Sequence, residues 1–97
     1  MILEWSLFAI ADREGIFNYI ETDSAEAAFA VDERIEAAVE SLEQFPEIGR
    51  PGRVEGTREL VVQRTPYIAA YQIDGDVVRI LRVLHGARRW PDAFLEE

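Results

Sequence analysis

This 97-residue chain carries ten arginines, no lysine, one histidine and no cysteine. Five of the arginines fall on two segments, Arg50-Pro51-Gly52-Arg53-Val54-Glu55-Gly56-Thr57-Arg58 and Leu84-His85-Gly86-Ala87-Arg88-Arg89-Trp90-Pro91. Guanidinium groups are planar, always charged and able to donate two parallel hydrogen bonds, which suits phosphate or carboxylate recognition. His85 is the one side chain whose free pKa lies near neutrality, so it could move a proton. Without cysteine there is neither a disulfide framework nor a thiolate metal site, and no carboxylate spacing resembles a ligand set. Nucleophile elbows, phosphate loops and glycine-rich dinucleotide fingerprints are absent from the sequence.

Each candidate has a second, structural reading. His85 closes an apolar run before Gly86, where it could instead bond a loop carbonyl. Arg82 sits inside a Val/Ile/Leu run and needs a partner there, either an anionic ligand or an acid such as Glu59 or one on a helix. Strand alternation groups Arg82 with Val78, Ile80 and Leu84, and Arg79 with His85. Arg50 and Arg53 fall in a loop and fit a solvated face. Tyr67 and Tyr71 share a strand face and read as core. Trp90-Pro91 reads as an apolar plug that fixes the end of the chain.

The elements that must position these groups follow from periodicity and punctuation. Met1–Trp5 reads as a short edge strand. Ser6 caps a helix over about 7–20 with Ala9, Ile16, Tyr19 and Ile20 on its apolar face. Asp23, with Glu26 three residues on, resembles a capping box, and Ser24 is the alternative cap. A second helix runs to about Phe45, with Ala28, Val31, Ile35, Ala38, Val39, Leu42 and Phe45 at helical spacing, and Pro46 ends it. Its other face carries Asp32, Glu33, Glu36, Glu40 and Glu43, which fits a solvated surface better than a catalytic pair. Residues 47–57 read as loop. Three β-rich runs follow over 58–64, 67–73 and 76–85, with Asp74-Gly75 as a tight hairpin turn. The third run is apolar enough to be central and covered on both faces. The order β-α-α-β-β-β predicts an α+β fold: a two-helix hairpin on one face of a small, mostly antiparallel sheet. The sheet's second face is then either thinly covered or open to a partner.

Bulk numbers limit the classes of function. The length and a hydrophobic content of 48% fit one folded domain over residues 1–97. No run approaches the roughly 18 apolar residues that span a membrane, and no signal pattern opens the chain, so a cytoplasmic location is expected. Residues 1–49 hold twelve acids against two arginines, and residues 50–97 hold seven acids against eight arginines. A net charge of −9 disfavours non-specific nucleic-acid binding, because counterion release needs local positive charge. Any such contact is confined to the arginine-bearing face.

From end to end the chain resembles the RelE/ParE superfamily of bacterial type II toxin–antitoxin toxins. The matching pieces are Trp5 ahead of Ala9, Ala11-Asp12 and Ile16; Tyr19-Ile20; the helix end Leu42 to Arg50 with its Phe45-Pro46-x-x-Gly49-Arg50 pattern; Gly56-Thr57-Arg58-Glu59-Leu60; Pro66-Tyr67-Ile68 with Tyr71; and Leu81-Arg82-Val83-Leu84-His85 through Pro91. The resemblance implies a fold of this layout and a cognate antitoxin that lays a helix and an extended segment over the toxin. It implies no cofactor, metal or small-molecule ligand. It also implies one of two targets. RelE-like members cleave mRNA on the ribosome, holding phosphates with Arg and Lys, and by position Arg58 and Arg88 would match such arginines, with Arg82 beside them and His85 as acid/base. ParE-like members inhibit DNA gyrase and cut no RNA. The chain departs from the nuclease pattern in having no lysine and in carrying Phe94 near the place of a late tyrosine. The reading adopted is therefore a toxin acting on gyrase, with Arg50, Arg53, Arg58, Arg89 and Trp90 as a binding surface. The alternative is a ribosome-dependent nuclease using Arg58, Arg82, His85 and Arg88. A third reading is a module that only binds its antitoxin and helps repress their promoter.

Overall fold

The computed structural model describes residues 1–94, and Leu95, Glu96 and Glu97 lie outside the described residues. Two helices pack on one face of a five-stranded sheet. The elements in chain order are β1 (Ile2–Trp5), α1 (Leu7–Glu21), α2 (Ala25–Glu40), a 3-10 turn (Ser41–Glu43), β2 (Arg50–Pro51), β3 (Arg58–Val61), β4 (Tyr67–Asp74) and β5 (Val77–His85). Spatial order is β1-β5-β4-β3-β2. The β1–β5 pair is parallel, as a crossover through the helical hairpin allows, and every other pair is antiparallel.

Ser6 does two jobs. Its Oγ accepts the Ala9 N–H at 3.0 Å, capping α1, and donates to the Leu81 carbonyl at 2.8 Å, tying that cap to β5. At α2 the cap is Ser24, whose Oγ accepts the Ala27 N–H at 3.1 Å. Asp23 does not serve. Its N–H still bonds the Ile20 carbonyl at the exit of α1, whereas Ser24 has the extended backbone an N-cap requires.

Helix α2 also ends earlier than its apolar spacing predicts. The chain tightens into the 3-10 turn ahead of Pro46, which buries Leu42 but leaves Phe45 58% exposed. Tyr19 likewise leaves the expected core face of α1, at 68% exposure. The core itself is Ala9, Ile35, Val39, Leu42, Val62, Tyr67, Ala69, Tyr71, Val78, Ile80 and Val83.

Within the expected loop 47–57, Arg50–Pro51 forms a short edge strand against Arg58 and Glu59. Two residues carry no periodicity, and Pro is admissible on an edge. Strand β3 stops at Val61 rather than Arg64, because Thr65 turns the chain. Its N–H and hydroxyl both donate to the Val62 carbonyl, and Arg64 takes a left-handed φ of 62°. In β5 the register slips, so that Ala70 faces Arg82 while Tyr71 faces Ile80. The extra residue, Leu81, resets the alternation, and Val83, not Leu84, joins Val78 and Ile80 in the core. The second face of the sheet is covered in part by residues of the 52–57 segment and the Trp90–Phe94 segment; Val54, Thr57, Leu81 and Phe94 line one small cavity there.

Candidate functional site

The arginines of the second half do not converge. They divide between the two faces of the sheet, and most donate inward to the protein.

On the second face, Glu59 of β3 is the centre. Its carboxylate is 2% exposed and accepts four hydrogen bonds: from the Arg53 main-chain N–H (2.7 Å), Arg53 Nε (3.1 Å), Arg53 Nη2 (3.2 Å) and Arg50 Nη2 (3.1 Å). Burial by itself pushes Glu59 upward, but the hydrogen bonds from Arg53 and Arg50 outweigh it and hold the carboxyl below its ordinary value. The other face of the Arg53 guanidinium lies on the indole of Trp90, 3.8 Å from the ring centroid. Trp90 is held in turn, since its Nε1–H donates to the His85 carbonyl at 3.0 Å, and Phe94 packs 6.3 Å from it. The Arg50, Arg53, Glu59 and Trp90 group is thus a rigid platform with partly exposed guanidinium edges. Arg89, also exposed, follows β5 next to Trp90 in sequence and pairs with no described residue.

The loop that supplies Arg50 and Arg53 is anchored by Tyr71. Its hydroxyl donates to the Pro46 carbonyl (2.7 Å) and accepts the Gly49 N–H (2.9 Å). Burial raises the Tyr71 pKa, so the phenol stays a donor. A Cβ on Gly49 would lie 2.5 Å from that oxygen, so only glycine fits. Arg58, opposite Tyr71 in register, donates to the Gly49 carbonyl at 2.9 Å and the Glu47 carbonyl at 3.3 Å. Its side chain closes the same loop.

On the helix side, a groove of about 370 Å³ lies between α1 and the end of β5, lined by Gly15, Tyr19, Tyr67, His85 and Arg88 among others. The Nδ1 atom of His85 accepts the Ala87 N–H at 3.1 Å, which leaves Nε2 to carry the proton of the neutral ring. Tyr67 meets the imidazole edge-on at 5.7 Å. Arg88 is exposed and makes no ion pair with a described residue. Arg82 is engaged elsewhere, in a two-pronged pair with Asp12 of α1 (2.7 and 2.9 Å). The same carboxylate accepts the Val83 N–H at 3.0 Å. The bond to Asp12 raises the Arg82 pKa further.

The helix acid expected as one choice for Arg82 is therefore Asp12, and the other choice, Glu59, serves Arg50 and Arg53 instead. Sequence reasoning did not give Asp12 or Tyr71 these anchoring roles. No local pattern marks them, because their partners lie 70 and 25 residues away. Among the described residues no group of three or more His, Asp or Glu could hold a metal ion. Among the described residues no helix is long and apolar enough to cross a membrane.

The chain matches the family model for the ParE toxin of the type II toxin–antitoxin system parDE over residues 3–90. It is 45% identical over 92 residues to Y4kP of Sinorhizobium fredii, provisionally named a toxin, covering 95% of both chains. It is 38% identical over 84 residues to toxin RelE2 of Caulobacter vibrioides, covering 87% of this chain and 93% of that one. A solved structure from a chromosomal ParDE toxin–antitoxin system of P. aeruginosa superposes with a TM-score of 0.78 at 32% identity, covering 86% of this chain and 92% of that one. The chain belongs to the ParE toxin family of type II toxin–antitoxin systems.

Proposed function

We propose that this toxin, whose family places a cognate antitoxin as its partner, arrests growth by binding DNA gyrase and not by cutting RNA. The observation that carries the reading is the engagement of the residues a nuclease would need. Arg82 is spent on Asp12 and Arg58 on two loop carbonyls. Electrostatic catalysis of phosphoryl transfer requires several donors aimed at one developing charge, and these arginines are aimed at the protein. A docking surface has no such requirement. Arg53 stacked on Trp90, with Arg50 and Arg89 beside them in the chain, supplies the rigid, partly exposed Arg and aromatic groups that anchor protein interfaces. A second reading, ribosome-dependent mRNA cleavage, is favoured by one feature alone: His85 Nε2–H and the unpaired Arg88 share a groove.

Inducible expression without the antitoxin, with DNA and protein synthesis followed separately by pulse labelling, tests the choice. The expected result is that DNA synthesis stops first, that His85→Ala stays toxic, and that Trp90→Ala loses toxicity while still binding antitoxin. Early loss of protein synthesis that His85→Ala abolishes would establish the nuclease reading instead.

A further inference from the structure

The arginines of the Arg50, Arg53 and Trp90 platform sit on a segment with little regular structure of its own. Between Pro46 and Arg53 the chain passes from the helix side of the sheet, around its edge, to the second face. The only strand in this stretch, β2, is two residues long, and Pro51 has no N–H to give to the ladder. Two ladder partners cannot by themselves offset the entropy of fixing the whole segment, so side chains must hold it.

Two neighbouring residues of β3 grip it from opposite faces. Strand alternation points Arg58 to the helix side and Glu59 to the second face. Glu59 takes the far end, through Arg50 and Arg53. Arg58 takes the near end, its Nη1 donating to the Glu47 carbonyl at 3.3 Å and the Gly49 carbonyl at 2.9 Å. Tyr71, opposite Arg58 on β4, completes this side. Its hydroxyl bridges the Pro46 carbonyl at 2.7 Å and the Gly49 N–H at 2.9 Å. Tyr71 is fully buried, so it meets no binding partner, and any effect it has on recognition must pass through the loop.

We infer that Tyr71 and Arg58 are positioning residues for target recognition: they fix the Pro46–Gly49 end of the loop so that Arg50 and Arg53 reach Glu59 and Trp90 in a single arrangement. The inference rests on the reading that the Arg50, Arg53 and Trp90 platform docks on gyrase. It gives Arg58 a different role from the phosphate contact that the nuclease alternative assigns to it. A guanidinium already held in its bound geometry keeps its binding energy, whereas a loose one loses part of it in becoming ordered. Ordering one or two arginine side chains corresponds to roughly tenfold in affinity. Tyr71 and Arg58 hold the same few atoms of the loop, so their effects should overlap and not multiply.

The test uses the full toxin with intact DNA gyrase as titrant, and the variants Tyr71→Phe, Arg58→Ala, their combination, and Ser24→Ala as a destabilising control far from the loop. Tyr71→Phe keeps the ring and removes only the hydroxyl; circular dichroism confirms that each variant folds. Gyrase affinity should fall about tenfold in Tyr71→Phe and in Arg58→Ala and less than about 30-fold in the double variant, while Ser24→Ala stays within about twofold. The Gly52 and Arg53 amides are bonded at the far end of the loop, to Thr57 and Glu59. In Tyr71→Phe they should exchange hydrogen about tenfold faster, a change that Ser24→Ala does not produce. An equal loss of affinity in Ser24→Ala, or loop amides that exchange no faster in Tyr71→Phe, would overturn the inference. Weakened binding in Arg58→Ala with full affinity in Tyr71→Phe would make Arg58 a direct contact of the target and overturn it too. Wild-type toxin that leaves gyrase unbound would overturn the functional reading, and the exchange measurement would still judge the clamp.

Discussion

Glu59→Gln removes one charge and changes almost no volume, so its effect isolates the electrostatics of the Arg50, Arg53 and Trp90 platform. The carboxylate accepts four hydrogen bonds and is nearly inaccessible to water. The amide keeps one acceptor oxygen and turns an N–H₂ group toward guanidinium donors, so at least two charge-assisted bonds are lost. Such bonds are worth about 1.5–3 kcal/mol each when fully desolvated. Arg50 and Arg53 are 54% and 40% exposed, and solvent screening brings the expected loss to about 2–3 kcal/mol in total. For a domain of this size that corresponds to a fall in Tm of roughly 10–20 °C. The pH dependence carries its own sign. Since the folded carboxyl titrates below its ordinary value, its stabilisation is complete above the unfolded pKa of about 4.3 and is lost as pH falls through the lower folded value. Urea denaturation of wild type and variant should therefore show the full gap at pH 7, narrowing as the pH falls below about 4. A gap under about 0.5 kcal/mol at pH 7, or one that widens on acidification, would refute the reasoning.

Three other substitutions probe the anchors. Asp12→Asn leaves Arg82 without its carboxylate on β5 and should cost about 2–3 kcal/mol in urea melts, with Asp12→Leu/Arg82→Met recovering part of the loss because no lone charge remains; a cost under 1 kcal/mol would count against the pair. Ser24→Ala should lower stability by about 1 kcal/mol and Asp23→Ala by less than about 0.5 kcal/mol, with the reverse order contradicting the observed cap. Arg64→Gly should raise Tm, reflecting about 0.5–1 kcal/mol of relieved strain at its left-handed φ of 62°; a destabilised variant would contradict the strain argument.

The helix pair and the three long strands were legible because each carries a run with one period. Ala28, Ile35, Val39 and Leu42 mark one helical stripe, and the Val/Ile/Leu run of β5 marks a strand buried on both faces. What escaped local reading was short or non-local. Strand β2 is two residues long, and its existence depends on Glu59 drawing Arg50 and Arg53 together. The Leu81 bulge is a matter of register between two strands, and it separated Arg82 and Leu84 from Val78 and Ile80, with which plain alternation groups them. Tyr19 and Phe45 obey helical spacing and still face solvent: the chain tightens into the 3-10 turn before Phe45, and Tyr19 lines the open groove beside β5.

The sequence by itself determined the class of protein. Apolar periodicity, the Ser6 cap, the Asp74-Gly75 turn and the family pattern running to Pro91 lead to the α+β toxin fold, since each is a local preference repeated until it outweighs the alternatives. Residue types also excluded a thiolate site, since the chain has no cysteine, and pointed to arginine as the expected recognition group. Only the tertiary structure decided which arginines are available. A guanidinium brought next to a carboxylate in a partly dehydrated setting is held there by charge and geometry together. The approach of Asp12 to Arg82, and of Glu59 to Arg50 and Arg53, was set by helix packing and strand register that no local pattern encodes. The same packing left Arg88 and Arg89 exposed and without an ion pair among the described residues.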